Sequence, residues 1–350
     1  MKSLKYYNIY MFISTFTRNI IDIYSVIFLY QKFNSIKSIL GMYIIIYFLG
    51  AIISTISLKL TNSIGAKYIL IFSSIITGIS FYLIHNINNQ ILISISLSMS
   101  IFTYHPIKHY YGIQLLKDKQ RIGNNIILIY IASIISSYFA IKKLNIIYLL
   151  IIGIISIIPI IFLKKDKQEK IIYPKKIKRN ILSFFILDQT KILFLLLEPL
   201  YLYLISNNIK YVGIFNIIIA ISSIIFIYVF INKHNIEKYY KILNIIFVIV
   251  LLLKLNISNN NILLLIAILE GIGIKTNEVI STMNLYREKN NTTGYLIISE
   301  IIFCLVRSII LIPFYIFNLN IKIIMYILLI GIFLLSFTYK KDTSKEVSNS

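Results

Sequence analysis

The chain has 350 residues, 58% of them hydrophobic, a formal charge of +22 and a mean hydropathy of +0.83. A chain this apolar excludes a nucleic-acid site as the reason for its basic charge, and its single cysteine, Cys304, excludes an intramolecular disulfide or a cysteine-based metal cluster. No GxxxxGK[ST] loop is present, which argues against ATP drive within this chain, and no cofactor is expected.

A helix needs roughly 20 apolar residues to cross a hydrocarbon core of about 30 Å. Twelve stretches of that kind follow one another, at 8–31, 39–60, 68–86, 91–111, 125–142, 145–163, 182–206, 211–232, 241–256, 261–282, 294–317 and 320–338. The N-terminal segment MKSLKYYNIYMF runs straight into the first of these with no small-residue cleavage site, so that stretch reads as a membrane helix. The fold class is therefore all-α: a polytopic membrane protein with 12 transmembrane helices.

Most of the 35 Lys and Arg residues fall in the termini and in every second loop. The densest run is KKDKQEKIIYPKKIKR, Lys164 to Arg179. By the positive-inside rule both termini and this run are cytoplasmic, in the plasma membrane, and the same basic surface favours an anionic leaflet of the bilayer. The run divides the chain into a six-helix bundle at 1–163, a basic cytoplasmic linker at 164–181, a second six-helix bundle at 182–339 and a polar cytoplasmic tail at 340–350.

The loop between spans two and three reads LKLTNSIGAKYIL, Leu58 to Leu70. Gly65 allows a tight turn there, and Lys67 puts a cation at the cytoplasmic face. With the two six-helix halves, this loop resembles the major facilitator superfamily, whose halves are parallel repeats about an axis along the membrane normal. Gly65 and Lys67 match its short cytoplasmic signature. Leu58 stands where the signature has its first glycine, Asn62 where it has aspartate, and Ser63 and Ala66 where it has basic residues. The corresponding second-half loop, NKHNIEKYYK from Asn232, keeps the basic character without a glycine.

An ionisable group at bilayer depth costs about 2.5–3.5 kcal/mol on insertion scales, so it normally faces a partner or a water-filled cavity. Arg18 and Asp22 lie in span one, His105, Lys108 and His109 in span four, and Asp188, Lys191 and Glu198 in span seven. Span ten holds Glu270, Lys275 and Glu278, and span eleven holds Glu300 and Arg307, while spans two, three, six, nine and twelve have none in their interiors. The resemblance implies that spans one, four, seven and ten line a central cavity and that three, six, nine and twelve stand outside. Independently, at about 100° per residue Arg18 and Asp22 lie some 40° apart, and Lys191–Glu198 and Glu300–Arg307 some 20° apart, so each set makes a one-sided polar stripe.

Depth along each span separates two layers. Arg18, Asp22, Lys191, Glu270 and Arg307 fall near the midplane and are the candidate substrate-binding residues; three cations against two acids there favour an anionic or zwitterionic solute. Asn62, Gly65, Lys67, His105, Lys108, Asp188, Lys275, Glu278 and Glu300 form a candidate cytoplasmic gate. Glu198 and Glu270 have no close cation within their own helices and lie beside helix breaks, at Pro199 and at Gly271 and Gly273, which makes them candidates for proton coupling. The alternative for pairs such as Arg18–Asp22 and Asp188–Lys191 is neutralisation that only permits insertion. His105 and His109 either titrate or cap the cytoplasmic end.

These readings lead to a non-enzymatic secondary transporter that moves a small solute by alternating access with protons as coupling ion, a monomer with a small-molecule substrate and no nucleic-acid partner. A flippase or drug exporter of the same fold shares the architecture. A membrane-embedded transferase would favour acids in the outward loops, which have none, and a non-transporting sensor would have less use for the charge stripes.

Overall fold

The computed structural model describes residues 2–61, 63–116, 119–141, 154–163, 179–231, 236–285 and 292–338. Within these, twelve helices follow in chain order and no strand occurs: α1 Lys2–Phe33, α2 Ile36–Thr61, α3 Ala66–Asn86, α4 Gln90–Leu115, α5 Lys119–Ile141, α6 Ile157–Ile161, α7 Arg179–Ser206, α8 Ile209–Phe226, α9 Ile236–Asn256, α10 Asn260–Leu285, α11 Thr292–Ile316 and α12 Ile321–Thr338. A π-helical turn, Ile227–Ile231, extends α8. The basic run at 164–178 and the tail beyond 338 lie outside the described residues, as do residues 145–153 of the sixth span.

Seven of the described helices are long and apolar enough to cross a membrane: α1, α2, α3, α8, α9, α11 and α12. Helices α4, α7 and α10 are equally long, but hydroxyls, amides and charges interrupt them; such groups are tolerated in a bilayer only where they turn into protein or water. The outer faces carry the apolar belt that lipid requires, including Phe48, Ile52, Phe72, Ile225, Ile249 and Ile330, all exposed. This is an integral membrane protein.

Turn chemistry at one end of the bundle repeats. Asn34, Asn207 and Asn318 all adopt positive φ, at 47°, 49° and 48°, the left-handed conformation that asparagine tolerates after a helix. The next helix in each case starts with an Ile-Lys pair, at Ile36, Ile209 and Ile321. Ser35 caps α2 by accepting from Ser38 N at 3.1 Å, and Asn208 caps α8 by accepting from Lys210 N at 2.9 Å. The α1–α2 and α7–α8 turns are thus one device used twice, as expected of a six-helix repeat.

Packing repeats as well. Adding six to each helix number converts α3–α4 contact into α9–α10, α2–α4 into α8–α10, and α3–α6 into α9–α12, and all of these pairs pack. Across the halves α2 packs on α11 and α5 on α8, two contacts that the same operation exchanges, while α1 packs on α7 near the axis. Close approach depends on small residues. A Cβ on Gly271 of α10 would lie 2.5 Å from the Ile219 carbonyl oxygen of α8 and collide with Ser222 Oγ. Gly41 of α2 faces the Tyr315 ring of α11 at 3.1 Å in the same construction.

Candidate functional site

A cavity of about 380 Å³ lies between the two halves. Its walls come from α1, α2 and α4 on one side and α7, α10 and α11 on the other. Tyr43, Tyr47, Phe102, Phe185 and Phe303 supply aromatic surface, and Arg307, Glu300, Asp188, Gln189, His105 and His109 supply polar groups.

Arg307 is half-buried. Its Nε donates to Gln189 Oε1 at 2.8 Å, and its guanidinium lies 5.2 Å from the centre of the Tyr47 ring, so an amide of α7 and a ring of α2 orient it together. Asp188 accepts from Lys191, four-fifths of a turn along α7, and from Ser281 Oγ of α10 at 3.0 Å; Lys191 also reaches Ser281 Oγ at 3.2 Å. Glu300, only 4% exposed, accepts no hydrogen bond and makes no ion pair among the described residues.

The two layers expected from depth alone therefore merge. Asp188, Glu300 and His105, assigned to a gate, line the same cavity as Arg307. Arg18 turns the other way, into the first half. Its guanidinium donates to Ser73 Oγ at 2.6 Å, Thr77 Oγ1 at 2.7 Å and the Ser100 carbonyl at 3.0 Å, and it stacks 3.7 Å from the Tyr104 ring centre. Arg18 is held by α3 and α4 and is not on the cavity wall. The side chain of Asp22 and residue Asn62 lie outside the described residues.

Glu198 and Glu270 lie away from the cavity lining, and the cation that neither has within its own helix comes from another helix. Lys254 of α9, fully buried, donates to Glu198 and to both Glu270 oxygens at 2.7 and 2.9 Å. Phe194 and Phe215 flank its ammonium at 5.1 and 5.6 Å. Span nine was expected to hold no interior charge. Lys254 lies two residues before the end of α9, where a lysine usually reaches outward to water. Here its side chain runs inward to acids contributed by α7 and α10.

Of the other candidates, Lys275 and Glu278 pair with each other within α10, and Tyr130 of α5 joins them across the halves. Its hydroxyl donates to Glu278 Oε2 at 3.3 Å and its ring lies 3.5 Å below the Lys275 ammonium. Gly65 takes φ 97° ahead of α3, and Lys67 donates to the Ile161 carbonyl, tying α3 to the end of α6. The Lys108 carbonyl accepts from Tyr7 at 3.1 Å, which links α4 to α1. At the opposite end Gln31 donates to the Tyr203 hydroxyl at 3.0 Å, joining α1 to α7. Sequence reasoning missed Lys254, Gln189, Ser281 and Tyr130. The latter three are neutral polar residues of a kind common in many helices, so only their partners single them out.

Among the described residues no three His, Cys, Asp or Glu side chains are grouped to hold a metal ion. No protein-family model matches the sequence, and no curated protein matches it. Solved structures do match over nearly the whole chain. A bacterial homologue of the iron transporter ferroportin, in an outward-facing state with soaked iron, superposes with a TM-score of 0.66 at 11% identity, covering 96% of this chain and 98% of that one. The nucleoside transporter NupG gives 0.64 at 15% identity, over 97% of this chain and 100% of its own. The E. coli fucose:proton symporter FucP, as a point variant, gives 0.59 at 12% identity over 97% and 98%. Twelve helices in two repeated halves around a central cavity, superposable on these transporters from end to end, give this chain the major facilitator fold.

Proposed function

We propose that this protein is a secondary transporter that moves a small anionic or zwitterionic solute across the plasma membrane by alternating access, as a monomer, with both termini cytoplasmic. The observation that carries the reading is the cavity between the halves, where the Arg307 guanidinium and the Glu300 carboxylate stand among aromatic rings. Its volume of about 380 Å³ lies in the range of small-ligand sites. That size favours a small solute over the lipid-like cargo of a flippase. Contacts between halves at opposite ends, Tyr130 with Glu278 and Gln31 with Tyr203, supply bonds that rocking would break alternately.

Proton coupling belongs to the cluster of Glu198, Lys254 and Glu270. Two carboxylates against one ammonium leave one negative charge over, fully buried, and one proton brings the cluster to neutrality. Uptake of a metabolite panel into proteoliposomes, with and without a pH gradient, tests both parts. Gradient-stimulated accumulation of a charged solute is the expected result; no movement of any solute would overturn the reading. Orientation is tested separately by cysteines placed at Lys170 and Asn208, which should label from opposite sides.

A further inference from the structure

We propose that the cavity takes a zwitterion whose acidic and amino groups are separated by a spacer, such as an ω-amino acid or a short peptide, with Arg307 holding the acid and Glu300 the ammonium. This rests on the transporter reading above. Nε of Arg307 is engaged by Gln189, but the outer fork of its guanidinium has no hydrogen-bond partner among the described residues. That fork is the part of arginine whose geometry matches a carboxylate with two parallel bonds. Glu300 is its complement: a carboxylate more than nine-tenths buried, on the cavity wall, with no donor supplied by the described residues. A buried charge left without a partner is costly, and an ammonium brought by a solute supplies one.

Spacing decides the class of zwitterion. Glu300 and Arg307 stand seven residues apart on α11, about 10 Å along the axis and within some 20° of the same face. An α-amino acid has its ammonium and carboxylate attached to one carbon and meets only one of these side chains well. Phe303 lies between them on the same face, and Leu195 and Leu196 of α7 also line the cavity, so the middle of the site is apolar and suits a methylene or peptide spacer. Asp188 is the weaker competitor for the ammonium, because Lys191 already neutralises its charge and its Oδ1 also accepts from Ser281.

The test is binding to the purified full chain in detergent, followed by calorimetry, using γ-aminobutyrate and glycylglycine as two-charge probes, alanine as the close-charge zwitterion, and butyrate and butylamine as single-charge probes. The two-charge probes should bind about tenfold or more tightly than alanine or either single-charge probe. Arg307→Gln should lose butyrate. Glu300→Gln should bind butyrate as the unaltered chain does and lose the preference for γ-aminobutyrate, a pattern that general misfolding would not give. Equal binding of alanine and the spaced zwitterions, or loss of butyrate in Glu300→Gln, overturns the assignment. Exchange of other solutes across proteoliposomes without binding of these probes would keep the transporter reading and overturn the site. Binding with no exchange of any solute would keep the site and remove the transporter reading.

Discussion

Lys254 donates to both carboxylate oxygens of Glu270, at 2.7 and 2.9 Å, and so joins α9 to α10 at a point where neither side chain touches solvent. Glu198 completes the group from α7. The first half uses the equivalent helices differently: Arg18 of α1 is held by hydroxyls and carbonyls of α3 and α4. One half is thus built around a cation with neutral partners, the other around a cation shared by two acids. Of these two clusters, only the second contains carboxylates.

Replacing Lys254 with Met should be strongly destabilising, because it strands two buried carboxylates. Breaking a buried pair by removing one partner typically costs about 3–5 kcal/mol. Thermal unfolding in detergent should show a clear fall in midpoint, and the added substitution Glu270→Gln should recover part of it. An unchanged midpoint for Lys254→Met would mean that the cluster contributes nothing to stability.

Glu198→Gln and Glu270→Gln should each abolish gradient-driven accumulation while leaving solute exchange across the membrane. Each removes the one excess negative charge that a proton would otherwise neutralise, and neither touches the cavity. Full uphill transport in both variants would sink proton coupling through these acids.

Tyr130→Phe removes the hydroxyl that α5 offers to Glu278 and keeps the ring beneath Lys275. A hydrogen bond to a charged group is worth about 1.5–3 kcal/mol net, so the variant should shift the halves toward opening at that end by roughly tenfold or more. Cysteine accessibility on the facing surfaces of α5 and α10, compared in the two proteins, reads that shift. No change would show that this contact does not hold the end closed.

Gly271→Ala should force α8 and α10 apart, since the new methyl would lie 2.5 Å from the Ile219 carbonyl oxygen. Overpacking of this kind usually costs about 1–3 kcal/mol. A lowered unfolding midpoint with solute selectivity retained is expected, because Gly271 is not on the cavity wall. Wild-type stability would mean that the two helices can separate freely at this point.

The sequence by itself determined the number of spans and their grouping into two halves, because run length against bilayer thickness is a one-dimensional property. It also picked out the interior charges of α1, α4, α7, α10 and α11, since a charge in an apolar run is visible without coordinates. Helical spacing likewise put Glu300 and Arg307 on one face of α11. What spacing leaves open is the direction in which that face turns within the bundle, and this only the tertiary structure decided. It turned Arg307 and Glu300 into the space between halves and Arg18 into the packing of α3 and α4. Lys254 shows the same limit from the other side: near a helix end a lysine reads as one that reaches water, yet acids 56 and 16 residues away draw it inward. Its partners come from two other helices, so no periodicity within α9 encodes them; they exist only once α7, α9 and α10 are packed together.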